Sequence, residues 1–210
     1  NFSSYYHWRD GIGPVDQRKT MKNIAWGIPE YNNFGTDEVL KFCDLVNAEP
    51  QVDLNMGSGT QEEATDWVKY IRAKYHGPLI LEMGNELYGK WQVGYPSREQ
   101  VAARTHAYSE ALRPIMQNAT LLATGATPPN FPEWNAAQLT NPPHTFDLLT
   151  THFIVGTNHV QLHPSNSDFM AAAAYAVPYL IGDIFEKMQA QIDAAPGYKG
   201  TAQRAVTEWL

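Results

Sequence analysis

Short apolar runs, each closed by a polar residue and followed by a stretch of helical period, repeat about five times along the chain and leave few folds open to it. Gln51-Val-Asp-Leu-Asn55, Leu79-Ile-Leu-Glu-Met83, Thr120-Leu-Leu-Ala-Thr124, Asp147-Leu-Leu-Thr-Thr-His152 and Arg204-Ala-Val-Thr-Glu208 read as strands. Near-continuous apolar strands are expected where both faces of a sheet are covered. From Thr36 onward, Val39, Phe42, Cys43 and Val46 fall on one helical face. Thr60 and Glu63 form a capping box ahead of Ala64, Trp67, Val68, Ile71 and Tyr75, and Gly77-Pro78 ends that helix. Ser97 and Gln100 form a second box ahead of Val101, Arg104, Tyr108, Ala111, Leu112 and Ile115. A long helix is expected over Asp168 to Ala194, bent at Pro178. The first 33 residues lack helical period and hold the tight-turn sequence Asp10-Gly-Ile-Gly-Pro14.

Such alternation implies a parallel sheet with crossover helices. Two α/β architectures satisfy it: a doubly wound open sheet and a (β/α)8 barrel. Polar side chains stand at the C-terminal ends of the strands, namely Asn55, Asn85-Glu86, His152 and Glu208. That rim is where a barrel gathers its functional groups. A doubly wound sheet also binds at strand ends, but no strand is followed by a Gly-rich dinucleotide fingerprint or a P-loop. The pattern therefore favours the barrel.

Composition removes other classes. The chain has 210 residues and a formal charge of −7, and it shows no basic stripe, so nucleic acid is not an expected partner. Its longest unbroken apolar run, near Ala171 to Val177, is shorter than a bilayer span, so no membrane partner is expected either. A single cysteine, Cys43, excludes an internal disulfide framework and a Cys-rich zinc site. The compartment stays open. Asn1 opens without a leader, and Leu210 follows directly on the strand-like run from Arg204. The expectation is an internal segment of a longer protein.

Glu86 and Glu208 each close a buried strand. Two carboxyls facing each other across a barrel mouth suit glycoside hydrolysis, in which one protonates the leaving oxygen and the other attacks the sugar or activates water. A strand-end glutamate serves equally as a cap, an ion pair or a loop carboxylate, and that alternative stays open here. Asn85 adds an amide able to hold a sugar hydroxyl. Trp91 and Trp209 are candidate platforms for a sugar ring, with core filling as the alternative. His152 is a candidate site residue or a satisfied core histidine. His159 and His163 have helical spacing but lack the glutamate of a zinc protease, and Pro164 argues for a loop. No Gly-x-Ser-x-Gly elbow occurs, and Cys43 lies on an apolar helix face, so serine or cysteine nucleophiles are not expected. Asn1-Phe-Ser3 and Asn118-Ala-Thr120 match the glycosylation sequon.

Longer motifs point further. Asn1-Phe-Ser-Ser-Tyr-Tyr-His-Trp-Arg-Asp-Gly-Ile-Gly-Pro14 with Arg18 resembles the opening loop of the α-L-arabinofuranosidases of glycoside hydrolase family 51. Gly84-Asn-Glu-Leu-Tyr-Gly-Lys-Trp-Gln-Val-Gly94 resembles that family's acid/base signature, and Thr207-Glu-Trp209 its nucleophile signature, with Val52-Asp-Leu-Asn-Met-Gly57 fitting between the opening loop and the acid/base signature. The resemblance covers essentially the whole chain. It implies an incomplete (β/α)8 barrel over 1–210, lacking strands one, two and eight and the family's C-terminal β-sandwich domain. It further implies a retaining mechanism, with Glu86 ending the fourth strand as acid/base and Glu208 ending the seventh as nucleophile. Asn1, Trp26 and Asn85 match positions that contact arabinose, and His152 matches a histidine ending the sixth strand. The implied substrates are arabinose-containing oligo- or polysaccharides such as arabinan or arabinoxylan. No metal or organic cofactor is implied, and the longer protein is expected to be a homo-oligomer.

One departure stands out. Where the family often reads His-x-Tyr, with the tyrosine hydroxyl bonded to the nucleophile, this chain reads His152-Phe-Ile154. Tyr5, Tyr6 and Tyr88 are the candidates to compensate. The mechanism implies carboxyls about 5–5.5 Å apart and a Glu86 pKa raised in part by the charge of Glu208. Isolated from further strands, residues 1–210 are expected to be unstable, because an unclosed barrel exposes strand edges. Two alternatives remain: another retaining glycosidase of the same clan, such as an endoglucanase or β-xylosidase, and an inactive carbohydrate-binding homologue.

Overall fold

The computed structural model of the chain describes residues 3–128, 131–153 and 167–209. Asn1, Ile154, His159, His163 and Pro164 lie outside the described residues. Short 3-10 turns at Ser3–Tyr5, Trp8–Gly11 and Val15–Gln17 lead into an antiparallel hairpin of β1 (Met21–Lys22) and β2 (Pro29–Glu30). Strands and helices then alternate: α1 (Thr36–Val46), β3 (Gln51–Asp53), α2 (Gln61–Arg72), β4 (Leu79–Met83), α3 (Arg98–Leu112), β5 (Ala119–Ala123), α4 (Phe131–Gln138), β6 (Leu148–Phe153), α5 (Ser167–Ala194) and β7 (Gln203–Trp209).

Strands β3 to β7 form one parallel sheet in the order β3-β4-β5-β6-β7. A doubly wound sheet reverses its order at a switch point. Here every crossover advances the same way, and the sheet curls as a half-barrel of five strands. Alternation along each strand divides its side chains between two layers. Leu79, Leu81 and Met83 of β4 and Leu121 and Ala123 of β5 join the apolar core, together with Trp67, Val68 and Ile71 of α2 and Val101, Tyr108 and Leu112 of α3. Ile80 and Glu82 take the opposite face of β4, toward the concave side of the sheet.

The helices start for local reasons. At α2, Thr60 Oγ1 accepts from the Glu63 amide at 3.1 Å. The Glu63 carboxylate does not return to Thr60; it bonds Nδ1 of His7 at 2.9 Å, so only half of the expected capping box forms. At α3, Gln100 Oε1 accepts from the Ser97 amide at 3.1 Å. Helix α1 buries Thr36, Leu40 and Cys43, whereas Phe42 and Val46, expected on that face, are exposed. Spacings of four and three select Leu40 and Cys43, and Phe42 instead packs edge-on against Phe34.

The N-terminal loop is fastened across the sheet. Trp8 is buried, stacks flat on Trp67 and donates from Nε1 to the Glu63 carbonyl at 3.1 Å. Ser4 donates to Gln92 Oε1 at 2.6 Å and accepts from the Val93 amide at 3.1 Å. The loop therefore also pins the segment that follows β4.

Helix α5 is continuous through Pro178. Met188 and Ile192, near its C-terminal end, are buried. Among the described residues it is the one helix long and apolar enough, by length and composition, to cross a membrane. An unbroken-run criterion passes over it because polar residues punctuate the apolar ones. Helix α4 was not expected: its buried residues are Trp134, Asn135 and Gln138, and two polar residues of three give no apolar period.

Candidate active site

Beyond Met83 the chain reverses sharply. Gly84 has φ +78 and Glu86 φ +47, and the Gly89 amide bonds the Glu86 carbonyl at 2.7 Å. A non-glycine residue held in the left-handed region costs about 1–3 kcal/mol, and such residues gather at functional sites. A Cβ at position 84 would lie 2.7 Å from Leu87 Cδ1, so glycine is required there on two counts.

This turn aims Glu86 at the end of β6. Oε1 of Glu86 lies 3.0 Å from Nδ1 of His152 and accepts from the Tyr88 hydroxyl at 3.3 Å; Oε2 accepts from Trp91 Nε1 at 2.8 Å. The Tyr88 ring stands edge-on to both Trp91 and Trp134.

A bulge brings in β7. Thr151 pairs with Val206 and His152 with Glu208, which leaves Thr207 as the extra residue. Regular alternation would send Thr207 and Glu208 to opposite faces. Instead Thr207 Oγ1 lies 3.1 Å from His152 Nε2, and Glu208 Oε2 lies 3.8 Å from His152 Nδ1. Re-aiming a side chain is a known use of a bulge beside a site. The buried imidazole thus stands between the two carboxyls. One oxygen from each carboxyl and one ring nitrogen all lie within 4.8 Å of one another.

Two further carboxyls lie beneath. Glu82 Oε2 accepts from Gln51 Nε2 at 2.8 Å, and Oε1 accepts from the Thr207 hydroxyl at 3.4 Å. Asp53 pairs with Glu82 in register across β3 and β4. Burial, followed by the charge of Glu82, holds the Asp53 pKa well above the ordinary carboxylate range. Burial also raises Glu82, against the opposing pull of His152 and the Gln51 and Thr207 donors. Sequence reasoning missed Glu82 and Thr207 as site residues. The signal available for Glu82 was a carboxylate inside an otherwise apolar strand.

The charge state of Glu86 corrects an expectation. Burial pushes its pKa up, but the donors on His152, Trp91 and Tyr88 outweigh burial and hold it below the ordinary value. The expected rise, assigned partly to Glu208, is not what this arrangement gives. Three donors stabilise the ionised form more than burial opposes it. Tyr88 is pushed far up by burial and by the Glu86 charge. Of the three tyrosines considered as substitutes at Ile154, Tyr88 reaches this site, and it bonds Glu86.

Other expected site residues fall as follows. Asn85 is buried beside Glu86. Trp26 is 66% exposed, in the turn between β1 and β2. Trp91 is half exposed and Trp209 largely exposed, as a platform residue requires. Asn55 shapes a turn: its Oδ1 accepts from the amides of Gly57, Ser58 and Gly59. The three converging groups could also be viewed as a cation spot. However, the polarised hydrogens already aimed at Glu86 would face any cation there, and the donor set is that of a hydrogen-bonded carboxyl pair. Chemically, the pair offers one carboxyl able to exchange a proton and a second within a few ångströms able to attack.

The chain is similar to known proteins in both sequence and fold. Residues 1–77 match the family model described as the α-L-arabinofuranosidase 1 domain. The chain is 32% identical over 187 residues to α-L-arabinofuranosidase C of Emericella nidulans, covering 81% of this chain and 37% of that protein. It is 29% identical over 190 residues to the intracellular exo-α-(1→5)-L-arabinofuranosidase of Acetivibrio thermocellus, again covering 81% and 37%. The chain therefore spans well under half the length of these curated relatives. Among solved structures, the Thermotoga maritima α-L-arabinofuranosidase in its arabinose complex superposes with a TM-score of 0.84 at 30% identity, over 99% of this chain and 44% of that one. The family 51 enzyme of Thermotoga petrophila gives 0.81 at 29% identity, over 99% and 44%. In sequence and in fold, the chain resembles part of the α-L-arabinofuranosidases of glycoside hydrolase family 51.

Proposed function

We propose that residues 1–210 form part of the (β/α)8 catalytic domain of a retaining α-L-arabinofuranosidase, with β3 to β7 as the third to seventh barrel strands. Strands one, two and eight and a β-sandwich domain would come from sequence beyond these residues. The substrates would be terminal α-L-arabinofuranosyl groups of arabinan, arabinoxylan or their oligosaccharides. Asn1, Trp26, Asn85 and His152 would line the sugar subsite.

The observation that carries the mechanism is the approach of Glu86 and Glu208 to within 4.8 Å, oxygen to oxygen. Retaining pairs stand about 5–5.5 Å apart, and inverting pairs about 6.5–9.5 Å. Glu208 attacks the anomeric carbon as the bond to the leaving oxygen breaks, and Glu86 gives its proton to that oxygen. Water then attacks the same carbon, returns a proton to Glu86 and frees Glu208, with net retention. His152, between the two carboxyls, fixes their relative placement.

The test is hydrolysis of an aryl α-L-arabinofuranoside by the full-length protein, followed by NMR. Arabinose appearing first as the α anomer is expected. No release from a folded protein, or the β anomer first, overturns the reading and leaves another clan glycosidase or a binding protein in its place.

A further inference from the structure

The proposed mechanism sets a problem. Glu86 must carry a proton when the substrate binds, yet the donors around it favour its ionised form. Behind it runs an unbroken line of hydrogen-bonding groups: Glu86 Oε1, His152 Nδ1 at 3.0 Å, His152 Nε2 to Thr207 Oγ1 at 3.1 Å, and Thr207 Oγ1 to Glu82 Oε1 at 3.4 Å. Counting hydrogens along this line allows two arrangements with the same total. In one, Glu86 is protonated and donates to Nδ1, Nε2–H donates to Thr207, and the Thr207 hydroxyl donates to an ionised Glu82. In the other, Glu82 is protonated and donates to Thr207, the Thr207 hydroxyl donates to Nε2, and Nδ1–H donates to an ionised Glu86. Passage between them moves one proton from carboxyl to carboxyl, exchanges the imidazole tautomer and turns one hydroxyl. No charge enters or leaves.

We infer that Glu82 is the proton reservoir of Glu86, reached through Thr207 and His152. This rests on the acid/base role proposed above for Glu86. Four features fit a reservoir. Glu82 is buried, so its proton does not exchange freely with water. Asp53, partly buried, pairs with it in register, and two adjoining carboxyls resist ionising together. Burial keeps Glu82 toward its neutral form. The bulge at Thr207 turns a hydroxyl inward between His152 and Glu82. Among the described residues, the charged and titratable groups facing Glu82 are His152 and Asp53, and Gln51 and Thr207 are its hydrogen-bond donors. Glu82 and Thr207 are positioning residues that act through His152 and touch no substrate.

The amide variants freeze the two arrangements. In Glu82→Gln, Gln51 still donates to one side, so the new carbonyl faces Gln51 and the new amino group faces Thr207. The Thr207 hydroxyl is then driven toward Nε2, and the ring keeps its proton on Nδ1. In Glu86→Gln, Trp91 donates to the carbonyl, the amino group faces Nδ1, and the ring proton moves to Nε2. The experiment is 15N NMR of His152 in the full-length protein without substrate. Opposite tautomers in the two variants are expected, and the same tautomer in both overturns the relay whether or not the protein hydrolyses anything. Opposite tautomers in a protein that releases no arabinose would overturn the activity and keep the relay.

Kinetics give a second readout and cover failure of Glu82→Gln to fold. Thr207→Val cuts the line and leaves the ring proton on Nδ1, facing Glu86. The basic limb of kcat/KM should move to lower pH. For substrates with poor leaving groups kcat should fall about tenfold or more, with KM little changed, given the usual size of acid/base assistance. Thr207→Ser, which keeps the hydroxyl, should restore the pH profile. A profile in Thr207→Val identical to that of Thr207→Ser overturns the proposal.

Discussion

Oε1 of Glu86 and Nδ1 of His152 face each other across 3.0 Å although 66 positions separate them in the chain. Neither strand end alone explains the contact. The left-handed turn at Gly84 and Glu86 throws one carboxyl inward, and parallel pairing through β5 sets β6 at the distance where an imidazole can meet it. The proton of Glu86 is therefore governed by tertiary neighbours, and its titration should respond to them one at a time.

Trp91→Phe should raise the pKa of Glu86. The indole N–H at 2.8 Å stabilises the carboxylate, so its loss favours the protonated acid. An acid catalyst works while protonated, so rate falls as pH rises through its pKa. The basic limb of kcat/KM should accordingly move to higher pH in Trp91→Phe, opposite in sign to the shift expected of Thr207→Val. A pH–rate profile from about pH 4 to 9, spanning the carboxylate and histidine ranges, decides it.

Glu86→Ala should separate substrates by their leaving groups. Acid/base assistance is typically worth about 10²–10⁴-fold. Substrates whose leaving oxygen needs a proton should lose that much, and an activated aryl glycoside far less in its first step. Equal loss on both would remove Glu86 from the acid role.

Gly84→Ala tests the turn itself. Alanine in the left-handed region costs roughly 1–2 kcal/mol, and its Cβ would press on the buried Leu87. The expected result is a lower melting temperature together with a loss of activity greater than the stability loss explains, because Glu86 is two residues away. A variant with wild-type activity and lowered stability would show that the turn serves folding alone.

The frame of this site was legible in the chain, and its interior was not. β4 was expected at Leu79 to Met83 and is found there, because five apolar-rich residues between Pro78 and Gly84 leave no other reading. β6 and β7 were placed within a residue or two, and the polar residues closing β4, β6 and β7 converge as barrel logic requires. Thr207 was hidden because its inward turn depends on a bulge, which is a property of the β6–β7 pair and not of either strand. Glu82 was hidden because strand period gives a face but not what that face meets. The direction of the Glu86 shift was missed for the same reason: Trp91 and Tyr88 lie close in sequence, but their hydrogen bonds depend on how the loop after β4 folds. On α1, period identified a helix and placed Cys43 on its buried side, but it also put Phe42 and Val46 there, which are exposed, since the turn of α1 toward the sheet is set by its neighbours.

Arg18 and Glu38 set a stability that should vanish in acid. The Arg18 guanidinium, with its side chain only 2% exposed, donates to both Glu38 oxygens at 2.8 and 2.9 Å and to the Gly13 and Asn32 carbonyls. It therefore ties the opening loop to α1. Arg18, helped by the Gly35 amide, holds the Glu38 pKa down at about 2 against burial. A carboxyl whose folded pKa lies below its unfolded value contributes stability above the unfolded pKa and loses it as pH falls through the folded one. Unfolding of the full-length protein should become easier from about pH 4.5, near the ordinary glutamate value, down to about pH 2. Glu38→Gln should be less stable at neutral pH, because Arg18 keeps its burial and loses its counter-charge, and its stability should fall less steeply over that acid window. Denaturant melts of the two proteins at a series of pH values measure both effects, and parallel curves would show that the pair contributes nothing to folding.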